Sequence, residues 1–272
     1  MADQGKWSDL TRRVVSAAVL IGIGIALALS TGIVLWAGVA IFMGLTFWEL
    51  ARMTGWLGPA RMHTPLGRSR PLVLAIVAAL SLFAALGLPQ IAPLVLLIPI
   101  AAGLPGAVPK DRLTYAIFGA AIMAVGYELV HLREEYGLPF ILWLMGVVIT
   151  SDVLGYFAGR MIGGPKFWPQ LSPKKTWSGT IAGWIGAALF GALLWLGGWA
   201  DPAVIFLSPV VAFAGQLGDI AESWLKRRAG VKDSSNLIPG HGGFMDRFDA
   251  VSGAVLAVMV LSWMMGLPGV GL

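Results

Sequence analysis

The chain contains no cysteine, which excludes disulfides, thiolate nucleophiles and cysteine-ligated zinc together. Histidine is scarce as well. His63, His131 and His241 are the only three, which argues against a histidine-ligated metal centre. Any metal bound here is expected to be a hard ion held by carboxylate and phosphate oxygens. Charge is the third shortage: 12% of the 272 residues are charged and 57% are hydrophobic, with a mean hydropathy of +0.80. Soluble domains run near about 25% charged. One soluble core of this size could not hide so much apolar surface, so the bilayer is the expected solvent for most of the chain. The common nucleotide signatures are missing too: there is no G-x-x-x-x-G-K-[ST] loop, no Rossmann glycine fingerprint and no H-E-x-x-H.

Long apolar runs fill the space that these shortages leave. A membrane helix needs roughly 20 mostly apolar residues. On that ruler spans are expected near 14–30, 32–49, 71–88, 90–106, 113–130, 139–160, 179–199, 203–224 and 248–266. The predicted fold is an all-α, polytopic integral membrane bundle of about nine transmembrane helices. Arg12-Arg13 precedes the first run, but a second run follows without a small-residue cleavage site, so the first is expected to stay as a membrane helix. With the N-terminus cytoplasmic, every Lys and Arg except Arg133 falls in an inner segment, as the positive-inside rule demands. The C-terminus is then outside. The net charge of +5 reflects lipid-facing loops rather than nucleic-acid binding. Residues 50–70, flanked by Trp48 and containing Trp56, read as an interfacial elbow on the inner leaflet. Residues 1–135 are expected to be transmembrane scaffold and lipid contact, and 136–272 the catalytic region of a single integrated membrane domain.

Acids inside a span are expensive and usually face a cavity or a partner. Asp152 lies in the sixth expected span, with Tyr156 and Arg160 following on the same helical face. Asp219, Glu222 and Lys226 share one face at the inner end of the eighth. Asp246 and Asp249 stand one turn apart as the ninth begins. On the expected topology all of these lie at one depth, on the cytoplasmic side. Asp152 alone could be a packing carboxylate, and Glu222 could simply pair with Lys226 at i+4. Asp219, Asp246 and Asp249 repel one another unless a cation lies between them. Glu128, beside His131 at the outer end of its span, reads as a packing or interfacial group.

Two polar stretches carry the remaining chemistry. QLSPKKTWSGTIAG (170–183) sets Lys174 and Lys175 beside the hydroxyl of Thr176, just before a helix start suited to anionic oxygens; a polybasic contact with anionic lipid is the alternative. SWLKRRAGVKDSSNLIPGHGGFMDRFD (223–249) packs five cationic side chains, three aspartates and four glycines between two apolar runs. The order Ser223, Lys226-Arg227, Lys232-Asp233, Pro239, His241-Gly242-Gly243, Asp246-Arg247 and Asp249 resembles the signature of the phosphatidate cytidylyltransferases (CDP-diacylglycerol synthases). Ser172-Pro173-Lys174-Lys175-Thr176-Trp177 and Gly179 are similar to that family's second motif, as are Asp152, Gly155-Tyr156 and Gly159-Arg160 upstream. The likeness covers about residues 150–249. It departs at Val153, where a small hydroxyl residue is usual, and at Ser178, where an acid or amide is common, so Ser178 receives no role.

The resemblance implies transfer of the cytidylyl group of CTP to phosphatidic acid, giving CDP-diacylglycerol and pyrophosphate. It implies Mg²⁺, with a second cation of unknown identity, on Asp219, Asp246 and Asp249. Glu222, Lys226 and Asp152 are added as catalytic groups. Lys174, Lys175, Thr176, Ser223, Arg227, Lys232, His241, Gly242, Gly243 and Arg247 are expected to bind substrate, although His241 can equally be a hydrogen-bonded turn residue. The expected setting is a bacterial inner membrane, with the site facing the cytoplasm, phosphatidate entering from the inner leaflet, and a homodimer compatible with the likeness. A cation-coupled transporter, a CTP-dependent lipid kinase and an anionic-lipid receptor are the competing readings.

Overall fold

The computed structural model describes the backbone of residues 2–55 and 65–265, and the side chains of 11–55 and 70–264. The elbow expected over 50–70 lies largely outside the described residues. The helices are α1 (Ala2–Leu29), α2 (Gly32–Met53), α3 (Pro65–Gly87), α4 (Ala92–Leu96), α5 (Ile98–Gly103), α6 (Arg112–Glu135), α7 (Gly137–Met161), α8 (Trp177–Leu196), α9 (Val204–Arg228) and α10 (Met245–Met265). Among the described residues, nine segments are long and apolar enough to cross a membrane, at the places the hydropathy runs predict. The chain is a polytopic helical membrane protein. Large apolar side chains such as Leu80, Leu193 and Phe206 point outward, which only a lipid solvent makes inexpensive.

Two local features depart from straight helices. The fourth span, Pro89–Gly106, is broken into 3₁₀ turns around α4 and α5. Pro89, Pro93, Pro99 and Pro105 recur through it, and each removes an N–H donor that an unbroken helical ladder would need. Between α7 and α8 the chain forms a small antiparallel hairpin, β1 (Lys166–Trp168) with β2 (Ser172–Thr176). The all-α expectation omits it. A run as short as KFW with prolines on either side carries no strand period to read.

The chain divides into two compact units, residues 1–130 with 228–247, and residues 131–227 with 248–272. In the first, Phe47, Leu50, Leu82, Tyr115 and Met123 are fully or almost fully buried. The Tyr115 hydroxyl donates to the Pro99 carbonyl at 2.8 Å, and Arg228 ties the loop that follows α9 to the start of α6 through Asp111 (2.6 Å) and the Lys110 carbonyl (2.5 Å). In the second, small residues let helices approach until backbones touch. A side chain at Gly179 would strike the carbonyl of Gly155 at 2.5 Å, and one at Gly183 would meet Ser151 Oγ at 2.7 Å. That contact fixes α7 on α8. Buried Gln216 of α9 then bonds both: its Nε2 donates to Ser151 Oγ (3.2 Å) and the Thr180 carbonyl (3.4 Å), and its Oε1 accepts from Trp184 Nε1 (3.0 Å). Close small-residue packing and a few interhelical hydrogen bonds hold helices together in lipid, where the hydrophobic effect does not.

Candidate active site

Within the second unit the acid cluster is built by the meeting of α9 with α10. Gly218 leaves room for the backbone of Asp249 and Gly253, Gly253 for the carbonyl of Ala214, and Gly215 for the carbonyl of Ala250 at 3.1 Å. With the two backbones so close, Asp219, which follows Gly218, and Asp249, whose own backbone is in the contact, are brought together. Asp219, Glu222 and Asp249 each offer an oxygen within 4.8 Å of the other two. The Asp249 carboxylate is also held by its neighbour's backbone, Ala250 N–H donating at 2.7 Å. Ser223 Oγ donates to Asp219 at 3.4 Å.

Two ammonium groups enter this cluster. Lys175, at the end of β2, is ion-paired with Asp219, and Lys226 with Glu222 one turn below it on α9. Lys175 and Asp219 are a quarter to a third exposed (25% and 30%), whereas Glu222 is nearly closed off at 4%. Asp152 on α7 lies within electrostatic range of both Lys175 and Asp219, and Asp249 within range of Asp219, Lys226 and Lys175. Four carboxylates thus share these two ammoniums. The hairpin explains why Lys175 is there. Its second strand ends on Thr176, which caps α8 by accepting from Gly179 N–H at 3.2 Å. The cap supplies one of the acceptors that a helix start lacks, and it sets Lys175 one residue before the cap and two before α8 begins. Lys174 is exposed beside it. On the exposed face of α7, Arg160 donates to the Tyr156 hydroxyl at 2.8 Å, as the i, i+4 spacing from Asp152 anticipates.

Apart from Arg227, the remaining predicted residues belong to the first unit, in the loop before α10 and its first turn. Asp246 Oδ2 accepts from Ser234 N–H (2.9 Å), Ser234 Oγ (2.8 Å) and Gly243 N–H (2.8 Å). The sequence grouped Asp246 with Asp219 and Asp249 as metal ligands; the carboxylate that joins those two in one unit is Glu222. The glycines of the GHGG run serve this geometry. Gly242 is in the left-handed region at φ +81°, where a side chain is strained. A side chain on Gly243 would overlap Ser234 Oγ and Glu49 Oε1. His241 is a turn residue with a partner, its Nδ1 lying 2.8 Å from Ser16 Oγ. Arg247 Nε donates to the His241 carbonyl at 3.0 Å, and the side chains of Lys232, Arg247 and Arg227 (the last at the end of α9) are exposed.

Sequence reasoning missed Glu49, Ser234, Ser235 and Gln216. Glu49 is the sole acid of α2 and is fully buried. A lone acid in an apolar span is itself a signal, but its partners lie some 185 residues away and no spacing rule could name them.

A polytopic bundle in which helix-borne acids and lysines converge is suited to holding divalent cations against phosphate. Comparison narrows the class. A model of the cytidylyltransferase family matches residues 11–265, and the chain belongs to that family. It is similar to the phosphatidate cytidylyltransferase of Brucella abortus, 44% identical over 144 residues, 51% of this chain and 52% of the relative. The protein of that name from Bacillus subtilis is 40% identical over 120 residues (43% and 45%), and that from Staphylococcus saprophyticus 34% over 146 (50% and 54%). The chain spans about half the length of the curated relatives it matches.

Proposed function

We propose that the protein transfers the cytidylyl group of CTP to phosphatidic acid, forming CDP-diacylglycerol and pyrophosphate. The observation that carries this reading is the cluster of Asp219, Glu222 and Asp249 with Lys175 and Lys226 in a membrane-spanning chain of a cytidylyltransferase family. The second ionisation of a phosphate monoester lies near about 6, so phosphatidate is already an anionic nucleophile at neutral pH and needs no strong base. One of its phosphate oxygens attacks the α-phosphorus of CTP, the bond from that phosphorus to the bridging oxygen breaks, and the electron pair leaves with pyrophosphate. The difficulty is bringing two polyanions together.

The all-oxygen donor set fits Mg²⁺, which favours one or two carboxylates together with substrate phosphates. Asp219 and Asp249 would hold it with support from Glu222, and it would supply positive charge at the meeting phosphates. Asp246, which the sequence assigns to the same ion, fixes the loop before α10 within its own unit through the bonds its carboxylate accepts. Lys174, Lys175, Lys226, Arg227, Lys232 and Arg247 neutralise phosphate oxygens, and the start of α8 after Thr176 offers N–H groups to them. Ser223 steadies Asp219, and Asp152 steadies Lys175. His241, Gly242 and Gly243 shape the loop that presents Arg247.

The distribution of Lys and Arg supports a cytoplasmic N-terminus and a site facing the cytoplasm, with phosphatidate entering from the inner leaflet of a bacterial inner membrane. Purified protein with α-labelled CTP, phosphatidate and Mg²⁺ tests the reading. CDP-lipid with pyrophosphate is expected. A phosphorylated alcohol with CDP would indicate a kinase instead, and no product at all would leave a lipid-binding or transport role.

A further inference from the structure

We propose that Glu49 is a positioning residue: a buried carboxylate on α2 that clamps the 234–245 loop and thereby sets the cations this loop presents to CTP. The inference rests on the functional reading above and extends it to a residue outside the signature.

Glu49 is fully buried in a membrane span, where a carboxylate is costly unless every lone pair is used. Here they are. Oε1 accepts from Ser235 Oγ (2.5 Å) and Phe244 N–H (2.9 Å), and Oε2 from Ser234 Oγ (3.0 Å) and Met245 N–H (2.7 Å). The four donors come from the two ends of one loop, so a single side chain closes it. Phe244 and Met245 sit at the start of α10, whose orphan N–H groups favour an anion. Ser234 Oγ is within hydrogen-bond distance of both Glu49 and Asp246. Its one proton is therefore shared, and Glu49 is coupled to Asp246 through it. Phe244 also stacks edge-on against Phe42, one α2 residue in the same unit, with ring centroids 5.1 Å apart.

None of these donors is needed merely to fold α2. A leucine at this buried position would pack in the core without the cost of desolvating a charge. The arrangement makes sense if the loop's conformation is what matters. Lys232 stands two residues before the clamp, Arg247 two residues after it, and His241 between its ends.

The lack of cysteine makes the test direct, because Asn236→Cys gives a unique spin-label site on an exposed loop residue. In Glu49→Gln, an amide NH₂ must face at least one backbone N–H, a repulsion that the serine hydroxyls can avoid by rotating and the backbone cannot. The label is expected to become more mobile. The KM for CTP is expected to rise about tenfold or more, because a displacement of an ångström at a binding group costs up to about a hundredfold, while the KM for phosphatidate stays within about twofold. A purely structural role would lower the active fraction, and hence kcat, with KM for CTP unchanged; that result overturns the proposal, as does an unchanged label. If Glu49→Gln does not fold, Ser235→Ala removes one contact only; a looser label and a raised KM for CTP support the clamp, and no change in either overturns it. If the unaltered chain makes no CDP-lipid, the functional reading fails separately. The clamp is then decided by the label alone, mobile in Glu49→Gln if it exists and immobile if it does not.

Discussion

Replacing Lys175 with alanine should move divalent-cation affinity and turnover in opposite directions. In the structure the Lys175 ammonium is paired with Asp219, so any divalent ion at Asp219, Glu222 and Asp249 competes with it for the same oxygen. Unit charges about 4 Å apart at an effective dielectric near 20 interact by about 4 kcal/mol. Both partners are a quarter to a third exposed, and water and salt reduce the attraction toward the surface-pair range of about 1 kcal/mol. A net energy of about 1 kcal/mol is a factor of about five. Lys175→Ala should therefore bind Mn²⁺, used as a spectroscopic stand-in for Mg²⁺, about fivefold more tightly in the absence of nucleotide. Its kcat/KM for CTP should fall, because a cation assigned to the substrate phosphates is gone. Electron paramagnetic resonance of free Mn²⁺ during titration of the detergent-solubilised protein reads the first quantity, and release of pyrophosphate reads the second. Unchanged or weaker Mn²⁺ binding in Lys175→Ala would refute the idea that this carboxylate cluster is the cation site.

Asp219→Asn and Asp249→Asn should each lose Mg²⁺-dependent turnover by a hundredfold or more while eluting as folded protein on size exclusion; a folded variant with full turnover would remove these acids from the site. Gly253→Leu should separate α9 from α10, because its side chain would overlap the Ala214 carbonyl; overpacking of this kind costs about 1–3 kcal/mol, seen as a lower unfolding temperature together with lost activity. Gln216→Leu keeps volume but removes its hydrogen bonds to Ser151, Thr180 and Trp184, each worth about 0.6 kcal/mol in lipid, so stability should drop measurably with the KM for CTP little changed. Single cysteines placed in the α6–α7 turn and at Asn236 should react with an impermeant maleimide from opposite sides of sealed vesicles. Labelling from the same side would overturn the orientation read from charge.

The spans were legible because membrane solvation is a one-dimensional property: twenty apolar residues in a row suffice, and nothing distant has to be known. Asp219, Glu222 and Lys226 were legible for a similar reason, since helical periodicity alone puts them on one face. The pairing of Lys175 with Asp219 was not readable, because it depends on a hairpin of three and five residues too short to carry a strand pattern. Glu49 was passed over in the sequence, and its meaning came only when Ser234, Ser235, Phe244 and Met245 were brought to it. Asp246 shows the same limit. Its place beside other acids in the chain suggests a metal ligand, and nothing in that spacing could reveal the three hydrogen bonds its Oδ2 accepts from the loop that precedes it.

The glycines join these two kinds of information. In water, close helix packing would be a matter of filling a core. In lipid, a glycine on one helix against a carbonyl on the next is among the few ways to hold two helices together, and it brings whatever stands one residue further into contact. Gly218 precedes Asp219, and its missing side chain faces the backbone of Asp249. The residue that allows the contact and the residue that uses it are therefore adjacent in the chain. A substitution that preserves every acid and lysine can still disable the cluster by widening that gap. Gly218→Ala adds one methyl group against the Asp249 carbonyl and should reduce Mn²⁺ affinity even though no ligand has changed. Retained affinity in a folded Gly218→Ala protein would mean that the acids converge for some reason other than the helix contact beneath them.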